Sequence, residues 1–122
     1  MKSQNGIREF LKYHPVVPVV KIEQLDAVIP FIEFLDHNGI HCIEITLRSN
    51  CALEAIDCAK KYAPSHFKIG VGTVIDRENL VAVIKAKVDF IVLPGLNIEL
   101  VELLKQTQIP FLPGALTPTE IM

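Results

Sequence analysis

Short β-rich runs alternate with helical segments along the chain, and no two runs are joined by a hairpin signal. The runs are VVPVVKI (16–22), HCIEITL (41–47), FKIGVG (67–72), DFIVL (89–93) and IPFL (109–112). Between them, apolar residues recur at helical spacing. Leu25, Val28, Ile29, Ile32 and Leu35 form one stripe, and Ala52, Ala55, Ile56 and Ala59 the next. Leu80, Val83 and Ile84 form a third, and Leu100, Leu103 and Leu104 a fourth. Ile7, Phe10 and Leu11 predict a short leading helix. Asn50, Asp76 and Asn97 stand where N-caps belong. Pro30 removes one helical hydrogen bond, which a first turn tolerates. Strands that alternate with helices form a parallel sheet joined by right-handed crossovers.

Two architectures satisfy that rhythm. A doubly wound five-stranded sheet fits the length of 122 residues. A (β/α)₈ barrel typically needs about 250 residues and rarely fewer than about 200. The run IEITLRSN (43–50) separates them. Ile43, Ile45 and Leu47 alternate with Glu44, Thr46 and Arg48, so a strand puts the three polar residues on one face. Central strands of a doubly wound sheet lie under helices on both faces and read as nearly continuous apolar runs. A barrel strand meets helices outside and lines a site at the top inside. The expectation is therefore a partial (β/α)₈ barrel of about five βα units, with parallel strands. The alternative left open is closure as a doubly wound sheet, with Glu44 and Arg48 paired or hydrated beneath helices.

Composition narrows the function classes. Half the residues are apolar, enough for a single domain with a real core. A net charge of −2 points to neither nucleic acid nor an anionic membrane. No run is long and apolar enough to span a bilayer, and MKSQNGIREF lacks the apolar core of a secretory signal. A cytoplasmic setting is the expectation. Cys42, Cys51 and Cys58 are odd in number and lack CxxC spacing, which predicts free thiols and no zinc or disulfide framework. His14, His37, His41 and His66 read as scattered loop or surface residues. TPTE (117–120) has a threonine cap, proline at the first helical position and glutamate three residues after the cap: a capping box that announces a helix. That helix and the strand count together suggest the N-terminal portion of a barrel, residues 1–122, cut before its sixth strand.

In order, VVPVVKI, IEITLRS, GVGTV, LPGLN and PFLPGALTPTEIM resemble the 2-keto-3-deoxy-6-phosphogluconate (KDPG) aldolases, also described as 4-hydroxy-2-oxoglutarate (KHG) aldolases. The resemblance runs from residue 14 to 122, and IEITLR and GVGTV are its specific parts. It implies a class I aldolase on a (β/α)₈ barrel: a lyase without cofactor or metal, usually a homotrimer. Such an enzyme cleaves its oxo-acid substrate reversibly to pyruvate and a small aldehyde through a lysine Schiff base. Carried over by position, Glu44 is the proton-transferring glutamate. Arg48 and Thr73 hold the pyruvyl carboxylate, and Pro94 lies in the loop lining the pocket. Leu93 and Asn97 depart from the commoner serine and threonine, which predicts local variation there. The family's lysine lies in a motif resembling FKFFPA, and no such motif occurs in this chain.

The chemistry explains the residue types. Imine formation and retro-aldol cleavage move protons among an amine, a hydroxyl and a carbon, and a carboxylate in reach can carry them. Partial burial of Glu44 raises its pKa towards neutrality. The planar fork of Arg48 suits a carboxylate. Gly70 and Gly72 allow a ligand close to the backbone before Thr73. From pattern alone, Glu44 and Arg48 also fit a structural ion pair or a wet face. Lys21 and Lys68 are the candidates for a surrogate nucleophile, which needs both position and a lowered pKa. A non-catalytic half-barrel that self-associates through open strand edges, or binds oxo acids weakly, is the competing reading.

Overall fold

The structure, a computed structural model, describes residues 2–122. Its strands are β1 (Val19–Val20), β2 (Cys42–Thr46), β3 (Lys68–Gly72), β4 (Phe90–Leu93) and β5 (Phe111–Pro113). Its helices are α1 (Lys2–Tyr13), α2 (Val28–His37), α3 (Ala52–Tyr62), α4 (Arg77–Lys85), α5 (Ile98–Lys105) and α6 (Pro118–Ile121). All neighbouring strands pair in parallel.

The strand order is β1-β2-β3-β4-β5, and this decides the architecture. A doubly wound sheet reverses direction at a switch point, so its helices fall on both faces. Here each right-handed crossover steps the same way, which places the intervening helices on one face. Ile43, Ile45, Ile69, Val71, Ile91 and Leu93 pack there against Ile32, Ile56, Leu80 and Leu104. The other face carries Cys42, Glu44, Thr46, Gly70, Gly72 and Phe90, in register across the strands. It is the concave inner face of a barrel arc. The doubly wound alternative is excluded, and the partial (β/α)₈ barrel stands.

The lower end of the inner face is closed. Ile7 of α1 joins Cys42 and Phe90 in a small second cluster, and Phe10 lies 4.5 Å from the Phe90 ring. Gly70 makes this plug possible, because a Cβ there would overlap the Phe90 ring. The upper half stays open, and Val19 and Leu112 on it remain exposed.

Caps and stripes largely follow the sequence. Asp76 accepts a hydrogen bond from Asn79 N at 2.8 Å, and Asn97 from Leu100 N at 3.2 Å. Thr117 and Glu120 form the full capping box, with proline at the helix start. Pro30 sits in the first turn of α2. Three expectations change. Asn50 is no cap: α3 begins after Cys51, whose side chain makes no capping bond. Leu25 leaves the α2 stripe for a preceding 3-10 turn and is exposed. The first run contributes only Val19 and Val20 to the ladder, and Pro18 just before them offers no N–H donor. Pro18 does contribute its carbonyl, which accepts from Glu44 N at 2.8 Å. All three cysteines are free. No helix among the described residues is long and apolar enough to cross a membrane.

Candidate active site

Glu44 is the third residue of β2, with its side chain on the inner face and only 9% of its surface exposed. Its carboxylate lies over Gly72 of β3, where any Cβ would overlap it. The glycine is thus the space the carboxylate occupies. Burial pushes the Glu44 pKa up, and the positive charge of Arg48 partly opposes this. Among the described residues no ion pair forms between Glu44 and Arg48. The carboxylate is therefore held near a cation without being consumed by it.

Arg48 follows the end of β2 and is exposed. Its Nε donates to Thr46 Oγ1 at 3.2 Å, and Thr46 Oγ1 donates to Val20 O at 3.2 Å. Thr46 is 2% exposed, so this chain fixes the root of the guanidinium against β1 while its fork stays free. Nothing in the sequence signals this contact with Arg48, although the i+2 spacing of Thr46 from Glu44 puts it on the same face. Arg48 lines an open depression with Lys21, Glu23, Ser49, Asn50 and Cys51 at the C-terminal ends of β1 and β2. Glu44 is not part of its lining and lies deeper on the same face of β2, with Thr46 between it and Arg48.

Thr73 follows Gly72 at the top of β3, with φ at +62°. A β-branched residue in the left-handed region is strained, and such strain gathers at functional sites. Thr73 directly follows the glycine on which the Glu44 carboxylate sits, and it lines neither the Arg48 depression nor the one beside Pro94. Pro94 stands apart. It is exposed at the top of β4 and lines a second depression with Val74, Ile75, Gly95, Leu96 and Asn97. β5 approaches it closely: Gly114 N donates to Leu93 O at 2.8 Å, and a Cβ on Gly114 would overlap the Pro94 carbonyl. Leu93 points into the core at 1% exposure, while the Asn97 side chain is engaged as the α5 cap. Neither faces the Arg48 depression.

The candidate surrogate lysines divide. Lys68 begins β3 in register with Cys42, at the end opposite Arg48. Lys21 lies at the mouth but pairs with Glu23 at 3.0 Å. Cys42 is buried, with its thiol pushed up to about 11, and serves as core.

Comparison with known proteins bears on the family and the fold. The family model described as KDPG and KHG aldolase matches residues 7–122. A KHG/KDPG aldolase of Escherichia coli K12 is 35% identical over 108 residues, covering 88% of this chain and 50% of that protein. A 2-dehydro-3-deoxy-phosphogluconate aldolase of Dickeya dadantii is 35% identical over 119 residues, covering 98% of this chain and 55% of that protein. The crystal structure of a KDPG aldolase from Legionella pneumophila, with pyruvate captured as a covalent carbinolamine intermediate, superposes with a TM-score of 0.89 at 33% identity. That match covers 99% of this chain and 57% of the Legionella protein. The chain spans about half the length of the relatives it matches.

Proposed function

This chain belongs to the KDPG and KHG aldolase family of lyases, and we propose that the protein carrying it is a class I aldolase cleaving KDPG or KHG to pyruvate and an aldehyde. The observation that supports this most directly is the buried, unpaired Glu44 carboxylate seated on Gly72 beneath Arg48. Burial raises the pKa of this carboxyl, which makes it the stronger proton acceptor, and a positioned carboxyl can carry protons between reacting groups. In this reading Glu44 shuttles protons between the attacking amine, the carbinolamine hydroxyl and the carbon released on cleavage. The Arg48 fork and the Thr73 hydroxyl grip the pyruvyl carboxylate and orient the keto carbon towards the amine. Pro94 shapes the neighbouring wall. No metal is assigned a role.

The amine itself is proposed to come from a lysine outside residues 1–122, these being the N-terminal part of the barrel. A homotrimer in a cytoplasmic setting completes the reading. The test is incubation with pyruvate and borohydride followed by intact mass measurement. A single reduced pyruvyl adduct on a lysine outside residues 1–122 supports the assignment. An adduct on Lys21 or Lys68 overturns the assignment of the nucleophile, and no adduct on the whole protein overturns Schiff-base chemistry.

The exposure of Val19 and Leu112 on the inner face favours a second reading for these residues taken alone, a non-catalytic half-barrel that self-associates. Light scattering that shows a monodisperse monomer would refute it.

A further inference from the structure

At the other end of the strands three side chains converge, two from the end of α2 and the start of β2 and one from the distant entrance to β3. Asp36 is in the last turn of α2, His41 immediately precedes β2, and His66 lies two residues before β3. Asp36 Oδ1 accepts hydrogen bonds from His41 Nδ1 at 2.6 Å and from His66 Nε2 at 2.7 Å. The two imidazoles meet edge to face at 5.6 Å. One ligating atom from each residue lies within 4.8 Å of the other two. The histidines read from the sequence as scattered are, for this pair, one cluster.

The backbone beneath the cluster is well supported. Lys68 N donates to His41 O at 2.9 Å, tying the two strand entrances together. Ile40 N donates to Leu35 O at 3.0 Å, which closes the turn between Asp36 and His41. Phe67, next to His66, is buried at 3% exposure. The side chains themselves are accessible, at 46% for His41 and 58% for His66.

We propose that Asp36, His41 and His66 bind one divalent transition-metal ion of the zinc class. Two imidazoles and one carboxylate suit zinc, nickel or cobalt, whereas calcium and magnesium prefer all-oxygen sites. Bonds of about 2.0–2.2 Å place tetrahedral donors about 3.3 Å apart. Binding therefore requires each histidine nitrogen to back away roughly 0.6 Å from the Asp36 oxygen and the two nitrogens, now within 4.8 Å of one another, to settle at about the same tetrahedral spacing, which exposed side chains can do. The fourth position opens to water. His37, although adjacent to Asp36, is turned away, with its Nδ1 at 2.8 Å from Glu33 O. The ion sits at the N-terminal ends of the strands, opposite Arg48 and Thr73. It clamps two loops of the fold and takes no part in the proposed aldol chemistry.

The test is zinc titration of tag-free protein against a chromogenic chelator, with thermal unfolding in parallel. Wild type is expected to bind one equivalent and to gain Tm with zinc. His66→Gln keeps a hydrogen-bond donor for Asp36 but removes the ligand. It is expected to weaken binding by more than about 10-fold, since even an outer-shell partner is worth about 10- to 100-fold. His41→Ala should behave alike, and His37→Ala should bind as wild type does. Cobalt should give visible bands without thiolate charge transfer, which would separate this site from Cys51 and Cys58. Unchanged zinc affinity in both His41→Ala and His66→Gln would overturn the proposal. So would a wild-type Tm indifferent to zinc, which would leave the cluster a hydrogen-bonded clamp only.

Discussion

Replacing Thr73 with glycine should make the protein more stable and less active. Thr73 holds φ at +62°. For a β-branched residue that conformation costs about 1 to 3 kcal/mol, and glycine adopts it without steric penalty. Against this, glycine enlarges the entropy of the unfolded chain, worth about 0.4 to 1 kcal/mol. The net expectation is a gain of about 1 kcal/mol, or about 4 °C in Tm for a chain of this size. Thr73→Ala is the control. It keeps the Cβ and hence the strain, and it removes the hydroxyl, so it should bring no gain. Urea and thermal unfolding measure the stability, and inhibition of the cleavage reaction by pyruvate measures the site. Both variants should lose affinity for the pyruvyl carboxylate to the same extent. If Thr73→Gly is no more stable than Thr73→Ala, the turn is not strained and the reasoning fails. If it is more stable and fully active, the strain does not serve the site.

Three further perturbations probe the same frame. Gly72→Ala forces a Cβ into the Glu44 carboxylate; it should cost about 1 to 3 kcal/mol in urea unfolding and lower kcat, and a neutral effect on both would mean that Glu44 lies elsewhere. Glu44→Gln keeps the shape and removes the charge, and should lower kcat by about 10²- to 10⁴-fold. The folded-state pKa of Glu44 is raised, so the cost of its charged form is absent below the unfolded pKa and fully present above the folded one. The glutamine variant should therefore match wild type in stability at low pH and exceed it at neutral pH, and the reverse order would contradict the burial argument. Asp89→Ala removes the carboxylate that accepts from Ile69 N at 2.8 Å and from Lys60 Nζ at 3.1 Å. Leaving that backbone donor unpaired should cost about 1 to 3 kcal/mol, with hydrogen exchange at Ile69 accelerating first.

The parts of the protein readable from sequence alone depend on near neighbours. The apolar stripe of α3, Ala52 to Ala59, is buried throughout, because helical period and the facing sheet select the same residues. Asp76 and Thr117 cap their helices through bonds spanning three residues. Asn50 misled because a side chain able to cap must also sit at the helix boundary, and the turn after Arg48 moves that boundary to Cys51. The alternation in IEITLR put Glu44 and Thr46 on one face, and the ladder keeps them there.

Other features arise only when distant segments meet. Sequence rhythm permits either winding of the sheet; the choice depends on which strand edges pair, and those contacts join residues from different βα units. The environment of Glu44 is set by Gly72 on the adjoining strand, which supplies empty space that no local pattern announces. Nothing in the sequence marks Thr73 for positive φ, and only the path of the chain leaving β3 drives it there. Asp36 and His66 are 30 residues apart, and His66 looks like a surface residue until α2 and the entrance to β3 bring them together. Period, caps and face alternation are local free-energy preferences and can be read along the chain. Space, strain and convergent ligands are properties of packed surfaces, and they come into existence only with the tertiary contacts.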